Sequence, residues 1–195
     1  MNAKDVHDFD TWSATYEESW LQHLYFDRIH HHVLDLIDTV PPPSSILDMG
    51  CGTGRLLRKI RLRWPDAKLY GIDPAEGMIN KAREMMPDAT FIIGSAESVL
   101  LPDSSIDLVI STTSFHHWED HYRAIQEIYR ILRNGGYFVL SDIALSGFLV
   151  KIFHHGHIRS PGEIRKMFED SGFIVQRQQR ILLGHTQVTV GMRRE

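Results

Sequence analysis

The sequence predicts an α/β fold, a Rossmann-like three-layer αβα sandwich on a seven-stranded, mostly parallel sheet whose last strand is antiparallel. Three observations predict it. Between Ser45 and Asp142, short apolar runs alternate with amphipathic helices, the pattern of a parallel sheet covered on both faces. The first run ends in a glycine-rich turn, Asp48-Met49-Gly50-Cys51-Gly52-Thr53-Gly54. The last two runs, Phe173 to Leu183 and Thr186 to Arg193, are joined directly by Gly184-His185, a link short enough to permit only an antiparallel pair.

Residues 1–40 read as helical, with aromatics at Phe9, Trp12, Tyr16, Trp20, Tyr25 and Phe26 and a helix-spaced stripe of Val33, Leu34, Leu36 and Ile37. Pro41-Pro42-Pro43 stops that helix. Strand Ile46 to Met49 leads into helix Thr53 to Trp64, and strand Leu69 to Asp73 into helix Glu76 to Met86. Strands Thr90 to Gly94 and Ile106 to Ser111 follow, then helix Glu119 to Leu132. Asn134-Gly135-Gly136 turns into a fifth strand, Tyr137 to Asp142, and helix Pro161 to Ser171 precedes the terminal hairpin. The expected organisation is one domain: a helical cap (1–43), a core (44–142), an insertion (143–160) and a closing helix and hairpin (161–195).

Bulk composition excludes several classes. The chain has 195 residues, 43% hydrophobic and 24% charged, enough to bury a core without disulfides. A formal net charge of -4 gives no electrostatic reason to bind nucleic acid or an anionic membrane. The basic stretch Arg55 to Arg63 alternates charge with Leu and Ile at helical spacing and reads as a solvated helix face. Cys51 is the single cysteine, so no internal disulfide or cysteine-pair zinc site can form. Met1 to Asp10 is polar, unlike a signal peptide, and Ile143 to Phe153 falls short of the ~20 residues of a bilayer span. A soluble, cytoplasmic protein is the expectation, with a small-molecule partner and no metal.

Four strand ends carry the chemistry. Glycines 50, 52 and 54 permit a sharp bend and a close approach of backbone N–H groups to a ligand at a helix N-terminus. Their D-x-G-x-G-x-G spacing differs from the G-x-G-x-x-G of dinucleotide sites. Asp73 can accept both ribose hydroxyls of an adenosine, or cap the helix that Pro74-Ala75-Glu76 opens. Gly94-Ser95-Ala96-Glu97 leaves space for a flat base beside polar groups. Ser111-Thr112-Thr113-Ser114-Phe115-His116-His117-Trp118 follows the fourth strand at the same edge, outside the carboxyl ends where open parallel sheets bind ligands.

Together ILDMGCGTGRLL, YGIDPAEGMINKAR, FIIGSAESVLLPDSSIDLVIS, SFHHW and EIYRILRNGGYFVLSD resemble the class I S-adenosylmethionine-dependent methyltransferases. The nearest likeness is to the small-molecule branch typified by ubiquinone/menaquinone biosynthesis enzymes. The resemblance implies S-adenosyl-L-methionine as cofactor. It puts Asp48 and the turn with Gly50, Cys51 and Gly52 on the methionine portion, and Asp73 on the ribose. Pro74, Ala75 and Met78 would line the adenine, with Ala96 and Glu97 on its other side, and Ser111 and Thr112 would lie under the sulfonium. Tyr16, in a Phe-Asp…Tyr segment beginning at Phe9, would close over the cofactor. The family usually has aspartate where Ser95 stands, which leaves the adenine-amino contact weaker, water-mediated or made by Glu97.

The implied reaction is in-line methyl transfer to a small, aromatic or partly apolar acceptor. His116 and His117 are the first choices for a base or acceptor-positioning group, since imidazole changes charge near neutral pH; their alternative is strand capping. His154-His155-His157 is read as an acceptor contact, a metal ligand set or a polar surface, while Phe148, Leu149, Val150, Ile152 and Phe153, with the N-terminal aromatics, either roof the acceptor or pack against the sheet. A nicotinamide- or flavin-dependent oxidoreductase and a non-catalytic cofactor-binding subunit are the competing functions.

Overall fold

The computed structural model describes residues 1, 3–13, 16, 26–143 and 158–194. Its elements are α1 (Ala3–Trp12), α2 (Asp27–Ile37), β1 (Ser45–Met49), α3 (Arg55–Arg63), β2 (Lys68–Asp73), α4 (Glu76–Met85), β3 (Thr90–Ile93), β4 (Ile106–Thr112), α5 (His121–Ile131), β5 (Leu132–Ile143), α6 (Pro161–Asp170), β6 (Phe173–Ile181) and β7 (Thr186–Arg193). Trp20, Tyr25, the run Phe148 to Phe153 and the histidines at 154, 155 and 157 lie outside the described residues.

The seven strands form one sheet in the order β3-β2-β1-β4-β5-β7-β6. β1 to β5 are mutually parallel, and β7 pairs antiparallel with both β5 and β6. The Rossmann-like sheet and the reversed last strand are as the sequence predicts. The last strand nevertheless lies inside the sheet, with β6 at the edge. Burial explains the order: β7 is buried from Thr186 to Gly191, whereas β6 carries exposed Gln176 and Arg177. A strand buried on both faces belongs between partners, and a polar one tolerates the edge.

Sequence neighbours on the central strands feed opposite cores, as a two-residue period requires. Ile46, Ile110 and Val139 pack with Val33, Leu57, Ile60 and Ile79 of α2, α3 and α4. Leu47, Val109 and Leu140 pack with Ile125, Ile128 and Phe168 of α5 and α6. Each such side chain contributes about 1.5–3 kcal/mol by leaving water.

Local differences from the sequence reading have local causes. Asn134-Gly135-Gly136 lies within β5, which starts at Leu132 opposite Ile106 and changes register before Tyr137 opposite Leu108. Gly135, at φ +74°, absorbs that irregularity. The link between β6 and β7 is a single 3-10 turn, Leu182–Gly184. The basic helix α3 is tied down by acids: Arg55 and Lys59 pair with Asp27, Arg61 with Asp88, and Arg63 with Asp35 and Asp38. Its charge is thus compensated within the fold. Among the described residues, no helix is long and apolar enough to cross a membrane.

Candidate cofactor and acceptor site

β1 to β5 all end at one edge of the sheet, and a cavity opens there. It encloses about 190 Å³. Gly50, Gly52, Asp73, Pro74, Met78, Ser95, Ala96, Glu97, Thr112, His116 and His117 line it from the strand ends, and Phe9, Trp12 and Tyr16 roof it. A small adjoining cavity of about 30 Å³ is lined by Asp48, Cys51, Thr53 and Arg55, and shares Tyr16, Gly50, Gly52 and Thr112 with the first. Fourteen of the fifteen residues selected from the sequence therefore line one cavity or the other; the fifteenth is Ser111.

Ser111 is fully buried, and its Oγ pairs with Ser114 Oγ at 2.8 Å. Ser114, which the sequence reading did not single out, lines the cavity and donates to Met49 O at 3.0 Å. Ala75 is likewise fully buried and lines neither cavity. Trp118 and Ile143 also reach the cavity wall. Only the packing of two strand ends brings these residues to it.

The glycine turn works differently from a phosphate cradle. Gly50 and Cys51 donate their N–H groups to Ile72 O at 2.8 and 3.0 Å, Gly54 donates to Cys51 O at 2.9 Å, and Gly52 donates to Asp73 Oδ2 at 2.9 Å. The Gly50, Cys51 and Gly52 N–H groups hold the turn to β2 and that of Gly54 closes the turn on itself, which corrects the expectation that they approach the ligand. The glycines are needed for backbone conformation, with φ of +78°, +51° and +74° at Gly50, Gly52 and Gly54.

Two carboxyls are buried behind the turn. Asp73 Oδ1 accepts the Ala75 N–H at 2.9 Å, so the residue bridges turn and helix while Ala75 occupies the N-cap of α4. Burial pushes the Asp73 carboxyl up to about 6, against the pull of those two N–H donors. Asp48 is 2% exposed, and its Oδ1 has no hydrogen-bond partner among the described residues. Burial, and then the neighbouring Asp73, pushes the Asp48 carboxyl up to about 7. Burial and the same two acids hold the Cys51 thiol well above its ordinary range, so it stays a protonated packing group.

Glu97, which lines the cavity, also anchors the start of α5. Its Oε1 accepts the N–H groups of Glu119 and Asp120 at 2.9 and 3.4 Å. Burial opposes its ionisation, but backbone N–H groups and the Ser95 hydroxyl hold its pKa below the usual glutamate value.

On the other side of the cavity a 3-10 turn, Phe115–His117, presents two histidines. His116 donates its backbone N–H to Asp142 Oδ2 at 2.9 Å, and its ring Nδ1 lies 2.7 Å from Asp142 Oδ1. Burial disfavours its cation, yet Asp142 outweighs burial and raises the pKa above 6.5. His117 Nδ1 lies 3.2 Å from Asp5 Oδ2, and burial followed by the charge on His116 lowers its pKa.

α1 closes the roof through α4. Asp10 Oδ1 accepts the Gly77 N–H at 2.8 Å, capping a helix start that has no cap of its own. A Cβ on Gly77 would fall 2.6 Å from Ser13 Oγ and 3.1 Å from Asp10 O. Gly77→Ala is accordingly expected to displace α1 while costing the global fold less than about 1 kcal/mol, since alanine is the better helix former. Limited proteolysis within residues 3–13 should accelerate several-fold; an unchanged cleavage rate would contradict this contact.

The comparisons with known proteins agree with this geometry. A family model described as a methyltransferase domain matches residues 47–140. An uncharacterized methyltransferase of Geobacillus sp. (strain WCH70) is 30% identical over 193 residues, covering 86% of this chain and 88% of the relative. The chain spans only 36% and 42% of the length of other curated relatives that it matches. Among solved structures, the complex between the Haloferax volcanii Trm112 methyltransferase activator and a methyltransferase contains a chain of TM-score 0.82 and 24% identity, with 96% of this chain and 98% of that one covered. An S-adenosylmethionine-dependent methyltransferase from Thermotoga maritima has TM-score 0.75 and 23% identity, with 96% and 99% covered. The sheet order and these likenesses converge on one family: the chain belongs to the methyltransferases, on the fold of the S-adenosylmethionine-dependent enzyme from Thermotoga maritima.

Proposed function

We propose that this chain transfers the methyl group of S-adenosylmethionine to a small, aromatic or partly apolar acceptor, within the branch that resembles ubiquinone/menaquinone biosynthesis enzymes. The observation that carries the reading is the buried Oδ1 of Asp48, which opens the glycine turn, lies near Asp73 and has no partner among the described residues. An orphaned buried carboxylate oxygen needs a donor, preferably a cationic one. The ammonium of the cofactor's methionine part meets that need. The pyrophosphate of a nicotinamide or flavin dinucleotide would instead meet two acids and a turn whose N–H groups are already spent.

In this reading Asp48 holds the methionine ammonium and Asp73 accepts the ribose hydroxyls. Pro74, Met78 and Ala96 flank the adenine, with Ser95 at its rim. Cys51 and Gly52 shape the turn, Thr112 and Ser114 form the floor, and Tyr16 closes the roof. The bound cofactor supplies an electrophilic methyl with an already activated leaving group. The protein's part is alignment and exclusion of water, achieved here by Phe9, Trp12 and Trp118 around the cavity.

Calorimetry with S-adenosylmethionine, S-adenosylhomocysteine and NAD tests the cofactor; tight NAD binding with no response to S-adenosylhomocysteine would overturn the reading. A panel of phenolic, enolic and apolar acceptors, followed by release of S-adenosylhomocysteine, tests the transfer.

A pH dependence follows from Asp48. Its folded-state pKa, about 7, lies above the ordinary 3.8, so its proton stabilises the free protein at low pH. That contribution is lost as pH rises from about 4 through 7. Cofactor binding requires the opposite state, the anion. S-adenosylmethionine affinity is therefore expected to fall up to about tenfold per pH unit between 7 and 6, with up to one proton released on binding, and more steeply below 6, where Asp73 protonates as well. Calorimetry in buffers of different ionisation enthalpy measures the release; a flat affinity from pH 5.5 to 8 would refute the assignment.

A further inference from the structure

We infer that Ser95 sets the base selectivity of the cofactor site, which admits a 6-oxopurine (hypoxanthine) in place of adenine with little loss of affinity. The inference rests on the cofactor reading above, and it concerns the edge of the base rather than the methyl transfer.

Gly94, Ser95, Ala96 and Glu97 line the cavity just beyond the end of β3, and Pro74 and Met78 line it from the end of β2 and the first turn of α4. The Gly94 N–H donates to Asp73 O at 3.1 Å, which holds the two segments side by side. A base that follows a ribose on Asp73 therefore meets this rim.

The two polar side chains of the rim, Ser95 and Glu97, are not equivalent. A carboxylate offers about four lone pairs. Those of Glu97 face its own N–H, the Ser95 hydroxyl, and the N–H groups of Glu119 at 2.9 Å and Asp120 at 3.4 Å. Glu97 is occupied in tying the rim to the start of α5, and Ser95 is the side chain left to read a base.

A hydroxyl carries one hydrogen and two lone pairs, and it turns about a single bond. With its hydrogen on Glu97, Ser95 accepts the amino group of adenine through a lone pair. Turned into the cavity, the same hydrogen is donated to the oxo group of hypoxanthine, and Glu97 keeps its three backbone donors. A carboxylate in the place of Ser95 could only accept. It would hold the amino group by a charge-assisted bond and repel the oxo group. The flanking surfaces of Pro74, Met78 and Ala96 are apolar and meet the flat face, which has the same shape in both purines.

Calorimetry at pH 8 with S-adenosylhomocysteine and S-inosylhomocysteine tests this. The wild-type affinities are expected to lie within about tenfold of each other, the scale of one exchanged neutral hydrogen bond. Ser95→Asp should keep the adenosine compound and weaken the inosine compound, raising their ratio to about 100-fold or more. Ser95→Ala should weaken both by similar factors, with thermal melting as the check that the fold is intact. A wild-type preference for adenine well above tenfold would overturn the inference and assign selectivity to backbone groups at ring nitrogen N1. So would a ratio that Ser95→Asp leaves unchanged. Failure of the wild type to bind either compound would sink the parent cofactor reading, and this inference with it.

Discussion

Asp73→Ala is expected to weaken S-adenosylmethionine binding by about 100-fold or more. Hydrogen bonds to a charged group contribute about 1.5–3 kcal/mol each, and the proposed ribose contact uses two. The same change strands the Gly52 and Ala75 N–H groups, which are 2.9 Å from the carboxylate in the native turn. Thermal stability should therefore fall as well, by the cost of two unpaired donors less the relief of removing a buried acid. Asp73→Asn separates the two effects. It keeps a carbonyl oxygen for one donor and carries no buried charge, so it should retain most of the stability and still lose most of the affinity. Calorimetry and thermal melting at pH 8 read both quantities. An affinity for Asp73→Ala within threefold of the wild type would remove Asp73 from the cofactor site.

The largest stability effect is expected at Gly50. At φ +78° an alanine pays about 1–2 kcal/mol for the left-handed backbone. Its Cβ would also fall 2.4 Å from both Cβ and Oγ of Ser114. Ser114 cannot swing aside, because its Oγ is held by Met49 O and Ser111 Oγ. Gly50→Ala should thus cost about 3–5 kcal/mol, within the range of severe overpacking and strain. Gly52 provides the control. Its φ is +51°, but among the described residues an added Cβ meets only Tyr16 Cε1, at 3.9 Å. Gly52→Ala should cost about 1–2 kcal/mol while still intruding on the cavity. Urea unfolding of the two variants measures the difference, and equal losses would contradict the packing argument.

Most of the architecture was legible because it follows from periodicity. The alternation of apolar runs with amphipathic helices specified β1 to β5 and their covering helices, with boundaries off by a residue or two. Strand β5 was the exception. The Asn134-Gly135-Gly136 run has the composition of a turn, and only its pairing beside Ile106 and Leu108 makes it part of a strand. The antiparallel hairpin was legible from its short link. Its insertion order was not, since a link constrains neighbours and says nothing about which member faces the rest of the sheet.

The site divides in the same way. Its membership was largely readable because ligand-facing residues in an open parallel sheet cluster at strand ends. Ser111 illustrates the limit: Ser111 and Ser114 are equally polar in sequence, and only the turn at Thr113, with φ +52°, decides which one faces the cavity. Asp142 is the larger omission. In sequence it is one acid closing a strand, and its bond to His116 spans 26 residues.

Sequence alone carried the sheet type, the glycine turn and its two acids, and through them the methyltransferase family. Those properties follow from local backbone conformation and from the two-residue and 3.6-residue periods, which any short stretch of chain already carries. Only the folded sheet makes visible that the turn's N–H groups are spent within the fold, that an Asp48 oxygen is unpartnered among the described residues, and that Asp142 bonds to His116. Each of those depends on two strand ends meeting, and burial and hydrogen-bond pairing between distant residues are set only when the sheet closes.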